Sequence, residues 1–303
     1  MNRKHFIKSA AVMTGAALSG STLQAAGRLF APTDATDKLK KGLGFSMIKE
    51  DLSLLDKFKL VKDLGYDGIE FNTPLDLDIS DILKACQATD LRVPSVVNKD
   101  HWSKPLSDPD AAVRKHTIDS VALSLQEVKE LGGDTVLVVP GVVNDKVSYQ
   151  TAYKNALDSI RQLIPHVEKT GVKIGLENVW NNFILSPVEA AAFLDEIDHP
   201  LIGWYFDIGN ILRYGWPEHW IETLNTRIVK LHAKAFSRAK MNDEGLWKGF
   251  EVELTEGDID WAKVMQSLRD VPYKGEWLTV ELGGGDRQAL AKISQQMDHI
   301  LAL

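Results

Sequence analysis

From residue 41 onward the chain alternates short apolar runs with longer stretches of helical periodicity, and it does so eight times. The short runs are 42–46, 68–71, 92–97, 135–139, 173–176, 202–206, 228–231 and 277–280. Each is mostly apolar throughout instead of alternating with polar residues, which is the pattern of a strand covered on both faces. Between them, stretches such as 52–64, 111–131, 149–170 and 187–197 carry apolar residues at helical spacing. In 149–170, Ala152, Ala156, Leu157, Ile160, Leu163, Ile164 and Val167 fall on one stripe that a sheet can cover. Gly65, Gly132 and Gly171 stand where such helices end and a strand follows within a few residues. Eight βα units in roughly 260 residues predict a single (β/α)8 TIM barrel of the α/β class, for which about 250 residues is typical. The competing doubly wound open sheet calls for a glycine-rich phosphate turn after its first strand, and none follows 42–46.

The first 27 residues stand outside this pattern. Arg3, Lys4 and Lys8 precede an acid-free run of small and apolar residues that closes on Ala25-Ala26-Gly27. That is the layout of an export signal, too short and too rich in small residues to span a membrane. Arg3-Lys4 stands where a twin-arginine signal has Arg-Arg, so the segment is Tat-like. The expected organisation is a signal peptide over 1–27, a linker over 28–40 and a catalytic barrel over 41–303, with a periplasmic location. Cleavage after Gly27 would remove three cations and no acid, making the formal charge of −7 three units more negative. An acidic surface disfavours nucleic acid as a partner. The one cysteine, Cys86, rules out an internal disulfide or a thiolate cluster.

A closed barrel brings the C-terminal ends of its strands to one mouth, so polar residues that end apolar runs are the places to look for chemistry. Four successive runs end that way: 173–176 leads into Glu177, 202–206 into Asp207, 228–231 into His232 and 277–280 into Glu281. One acid at a strand end is ordinarily a helix cap or an ion-pair partner. Four on consecutive strands are not explained in that way. Three carboxylates in a half-buried mouth repel and raise one another's pKa unless a cation neutralises them, and an imidazole completes a mixed oxygen and nitrogen set. The sequence therefore predicts one divalent metal ion on Glu177, Asp207, His232 and Glu281. Oxygen-rich ligation favours Mn2+, Mg2+ or Co2+ over Zn2+.

The segments Leu176-Glu177-Asn178-Val179-Trp180, Phe206-Asp207-Ile208-Gly209-Asn210, Lys230-Leu231-His232-Ala233-Lys234, Glu256-Gly257-Asp258-Ile259-Asp260-Trp261 and Val280-Glu281-Leu282 carry a family resemblance. The chain resembles the xylose isomerase-like TIM-barrel superfamily over essentially everything after Lys41. It is most similar to the sugar and sugar-phosphate branch: L-ribulose- and L-xylulose-5-phosphate 3-epimerases, ketose 3-epimerases and hydroxypyruvate isomerases. The resemblance implies that the same four residues hold one metal and that Glu177 and Glu281 are also the acid and base. It implies a metal-dependent isomerase or epimerase acting on a keto-sugar through a cis-enediolate, with a sugar as partner and room for a homo-oligomer. Arg238 matches a position from which relatives reach substrate oxygens. Asn210 departs from ketose epimerases that place a histidine there. His101, Trp102 and Glu70 are expected at the same mouth by their places after or at strand ends. Two other readings stay open: a lyase of the same superfamily that eliminates water from a keto-sugar, and a non-catalytic periplasmic carbohydrate-binding protein.

Overall fold

All eight short runs are strands. The computed structural model describes residues 39–303; the expected signal and the linker up to residue 38 lie outside them. The strands are β1 (Lys40–Gly44), β2 (Gly68–Thr73), β3 (Ser95–Asn98), β4 (Thr135–Val138), β5 (Lys173–Glu177), β6 (Ile202–Asp207), β7 (Ile228–Ala233) and β8 (Trp277–Val280). They pair in parallel, in sequence order, and β8 returns to β1 to close the barrel. The barrel thus begins at Lys40, one residue before the expected boundary. β1 also ends earlier than 46, because Phe45–Met47 turns into a 3-10 helix. β3 begins at Ser95 and not at 92, since Pro94 has no N–H to give to a ladder.

The outer ring consists of α1 (Leu54–Asp63), α2 (Ile79–Thr89), α3 (Ala111–Glu130), α4 (Tyr149–Thr170), α5 (Pro187–Ile197), α6 (Pro217–Leu224), α8 (Trp261–Asp270) and α9 (Arg287–Leu301), with α7 (Arg238–Glu244) an extra helix after β7. Their starts are set locally: Ser53, Asp78, Asp110, Ser148 and Ser186 each accept a backbone N–H from the first turn of the helix they precede. The stripe on α4 is buried as its spacing predicts, except that Ile164 at its edge is half-buried. The stretch 233–258 has no apolar stripe and reads from its sequence as one long loop between β7 and the next helix, but it holds α7 and a 3-10 helix, Leu246–Phe250. None of the described helices is long and apolar enough to cross a membrane.

Inside the barrel sits a layer of polar side chains. Glu70, Ser95, Tyr205, His232 and Thr279 are all buried. Tyr205 fits because Gly175 faces it: a Cβ on Gly175 would lie 2.9 Å from the Tyr205 Cβ. At the opposite end from the strand C-termini, Lys230 is buried and paired with Asp134 at 2.8 Å. Lys230, His232 and Lys234 thus follow one another at the two-residue spacing that keeps side chains on one face of a strand.

Candidate metal centre

The four expected residues meet. Glu177 and Asp207 are the last residues of β5 and β6, His232 is next to last in β7, and Glu281 follows β8 directly. Asp207 and His232 are cross-strand partners, as are His232 and Thr279. Each of the four offers one ligand atom, and these atoms lie within 4.8 Å of one another. His232 turns Nδ1 to the cluster, 3.3 Å from Glu177 Oε1 and 3.1 Å from Glu281 Oε2. Its other nitrogen, Nε2, lies 2.8 Å from Glu70 Oε2 beneath. Asn178 holds the Asp207 backbone from both sides, accepting its N–H at 3.1 Å and donating to its carbonyl at 2.7 Å. Asp207 Oδ1 accepts the Asn210 N–H at 2.7 Å.

Lys234 completes the arrangement, and the strand-end reading missed it. Its ammonium lies 3.0 Å from Asp207 Oδ2 and 3.0 Å from Glu281 Oε2. Gly209 makes room for it, since a Cβ there would come within 2.5 Å of the Lys234 Cβ. The signal for Lys234 is its spacing, two residues beyond His232.

Burial is the chief influence on every carboxylate here, and the neighbours decide the outcome. Burial pushes Glu177 up to about 7, with His232 opposing and the Glu281 charge adding. It also raises Asp207 against the pull of Lys234. For Glu281 burial loses: Lys234 and His232 hold it well below the usual carboxylate range. Burial would likewise lower His232, but the Glu70 charge and bonds to Glu177, Glu281 and Glu70 carry it well above the ordinary imidazole value.

This donor set fits a metal ion. Asp207 Oδ2 is fully buried, faces the cluster and has no donor aligned on it despite the nearby ammonium. A buried carboxylate oxygen left so is the kind of atom that ligation satisfies. His232 is already oriented for Nδ1 ligation, with Nε2–H donated to Glu70, the carboxylate–histidine arrangement common behind metal ligands.

Above the cluster opens a cavity of about 640 Å3, lined by Glu177, Lys234, Glu281, Asn210, Val179, Leu282 and Gly283 with the aromatic side chains of Trp102, Trp180, Trp247 and Phe250. Trp102, placed at the mouth by its position after β3, lines the wall together with Asn210. Glu70, His101 and Arg238 do not. Glu70 lies within β2 and not at its end, hydrogen-bonded to Ser95, Tyr205 and His232. The Arg238 guanidinium donates to the carbonyls of Leu212 (2.7 Å) and Gly215 (2.6 Å) and lies over Trp216. That braces the loop after β6 and leaves the arginine turned from the carboxylates.

His101 is 3% exposed and accepts the Val139 N–H at 3.2 Å through Nδ1, packed edge-on against Trp102. Burial pushes it from 6.5 down to about 4. Protonation would destroy the acceptor, so the folded state takes up this proton later than the unfolded chain does. The linked stability is full above about pH 6.5 and is lost as pH falls toward 4; at 1.36 kcal/mol per pKa unit it is about 3 kcal/mol. Urea unfolding at pH 7 and pH 4.5 is expected to show a smaller acid loss for His101→Gln than for the wild type. Equal losses would refute the assignment.

A closed βα barrel whose four late strands end in a carboxylate and imidazole cluster beneath a cavity is the architecture of a barrel enzyme. Residues 58–303 match the model of the xylose isomerase-like TIM barrel family, and the chain belongs to that family. It is 28% identical over 182 residues to an uncharacterized protein of Methanocaldococcus jannaschii, a match over 56% of this chain and 60% of that protein. It is 22% identical over 264 residues to the L-ribulose-5-phosphate 3-epimerase of Salmonella paratyphi A, spanning 82% of this chain and 89% of the relative. In structure it is similar to a D-tagatose 3-epimerase-like protein, with a TM-score of 0.74 at 20% identity over 87% of this chain and 97% of the other.

Proposed function

We propose that this chain is a divalent-metal-dependent sugar isomerase or epimerase acting on an α-hydroxyketone sugar. One observation carries the reading. Glu177 and Glu281, from strands three apart around the barrel, bring carboxylate oxygens within 4.8 Å of each other and of Asp207 and His232 at the floor of a cavity. Asp207 and His232 would hold the ion together with the two glutamates, and the oxygen-rich set suits Mn2+, Mg2+ or Co2+ better than Zn2+. When bound, such an ion supplies Lewis acidity to a carbonyl and its neighbouring hydroxyl.

The remaining work falls to the side chains. One glutamate removes the proton from the carbon beside the carbonyl, and the other returns a proton from the opposite side, which inverts that carbon. Lys234 holds the Glu281 carboxylate in place through its 3.0 Å contact and offers positive charge where the substrate oxygens gain negative charge. Asn210, fixed by its bond to Asn178, presents an amide to the wall. An L-ribulose-5-phosphate 3-epimerase and a D-tagatose 3-epimerase-like protein are among its relatives, which supports the class. The signal-like segment 1–27 supports a periplasmic setting, where unphosphorylated sugars are the substrates available.

The test is elemental analysis of the purified protein beside a ketose panel in D2O, with and without chelator. The expected result is one divalent ion per chain and carbon-bound deuterium at an inverted centre, abolished by chelation. Water loss to an enone would assign the lyase reading instead. Turnover indifferent to chelation would overturn the proposal.

A further inference from the structure

Lys234 reaches into the carboxylate cluster without being able to ligate a metal itself. Its ammonium is 3.0 Å from Asp207 Oδ2 and 3.0 Å from Glu281 Oε2, on a side chain that is 17% exposed. Asp207 is the fixed member of this group. Its Oδ1 accepts the Asn210 N–H at 2.7 Å, and Asn178 grips its backbone N–H and carbonyl. The carboxylate therefore cannot turn, and the residue is 0% exposed. A buried carboxylate is costly without a positive charge beside it. Lys234 supplies that charge from within the chain.

A metal ion calls on the same oxygen. Oδ1 is taken by Asn210, whereas Oδ2 has no aligned donor and is the Asp207 oxygen free to ligate. Two cations drawn to one buried oxygen repel each other strongly, because little solvent stands between them to screen the repulsion. The aspartate is held, but an ammonium on a flexible four-carbon stem can move. Its direction of movement is set by its surroundings. Gly209 stands against the Lys234 Cβ and carbonyl, and His232 lies two residues back on the same face of the strand. The open side is the cavity, which Lys234 already lines.

We propose that Lys234 is a built-in counter-charge that gives way to the metal ion: it neutralises Asp207 as the barrel folds, yields Asp207 Oδ2 on loading, keeps Glu281 and turns its freed N–H groups into the cavity. The lysine thereby lowers the affinity of the site for its ion, since loading must overcome the hold of the ammonium on Asp207. Loading in turn frees the ammonium for a substrate oxygen, so that ion and substrate binding are coupled through one side chain. The proposal rests on the metal site put forward above and not on the reaction.

The experiment is calorimetric titration of the chelator-treated full chain with Mn2+, beside thermal melts with Mn2+ and with chelator. Lys234→Met keeps the length of the stem and removes the charge. It is expected to bind Mn2+ at least about tenfold more tightly than the wild type, within the usual range of coupling between sites. It should melt below the wild type with chelator and close to it with Mn2+. Lys234→Arg retains a cation and should bind Mn2+ about as the wild type does. Equal or weaker Mn2+ binding by Lys234→Met, or melting lowered alike in both conditions, would make the lysine a simple brace and overturn the proposal. A readout on the unmutated chain stands apart from the folding of any variant. Competitive acetylation, followed by mass spectrometry against the exposed Lys129 of α3, should label Lys234 at least about fivefold faster with Mn2+ than with chelator. Unchanged labelling overturns the proposal while leaving the metal site in place. A wild-type chain that binds no Mn2+ removes the metal site and the proposal together.

Discussion

Glu177→Gln and Glu281→Gln are each expected to lower kcat on the preferred keto-sugar by at least about 10³, in line with the loss of a positioned acid or base together with a metal contact. The amide keeps the volume and one acceptor oxygen of the carboxylate, so packing around β5 and β8 is retained. What goes is the capacity to hold and release a proton. Asp207→Asn and His232→Gln touch the same cluster without a proton-transferring role. Their loss is expected to be mainly in metal affinity, so added Mn2+ restores a large share of their activity and little of the glutamate variants'. Steady-state rates measured against increasing Mn2+ check this division. Rescue of Glu281→Gln to near wild-type turnover would show that Glu281 is a ligand alone.

The barrel was legible because each strand is a short, mostly apolar run and each helix has a stripe, and both signals are local. The four-residue cluster was legible for the same reason: a single polar residue directly after an apolar run stands out, as with Glu177 after Leu176 or Asp207 after Phe206. Strand ends were less so, since β5, β6 and β7 continue through the polar residues that seemed to end them. Helix α7 was missed because none of its residues is buried, so no stripe marks it. Lys234 was available from the two-residue alternation through Lys230 and His232, but its partner Glu281 lies 47 positions on and is set by barrel closure. Arg238 faces the Leu212 and Gly215 carbonyls for a similar reason: which neighbour a loop arginine finds depends on how the β6 and β7 loops pack, which no window of sequence contains.

Glu70 is the residue whose role changes most, and its substitution gives the second large effect. It lies 162 positions from His232 in sequence and 2.8 Å from it in space. Its Oε1 accepts Ser95 Oγ at 2.5 Å and Tyr205 OH at 2.7 Å, so the carboxylate satisfies three buried donors. Glu70→Ala strands all three, and a loss of about 3–5 kcal/mol in urea unfolding is expected, the range for removing one partner of a buried charged pair. Glu70→Gln separates stability from ligation. The amide oxygen can still accept from Ser95 and Tyr205, but the amide nitrogen then donates to His232 Nε2. That moves the ring proton to Nδ1, the nitrogen facing Glu177 and Glu281, where it blocks the lone pair a metal needs. Glu70→Gln should therefore fold with a much smaller stability loss than Glu70→Ala, yet bind Mn2+ 10–100-fold more weakly than the wild type, as measured by metal titration. Wild-type metal affinity in Glu70→Gln would mean that His232 does not ligate through Nδ1, and the site would have to rest on its three carboxylates alone.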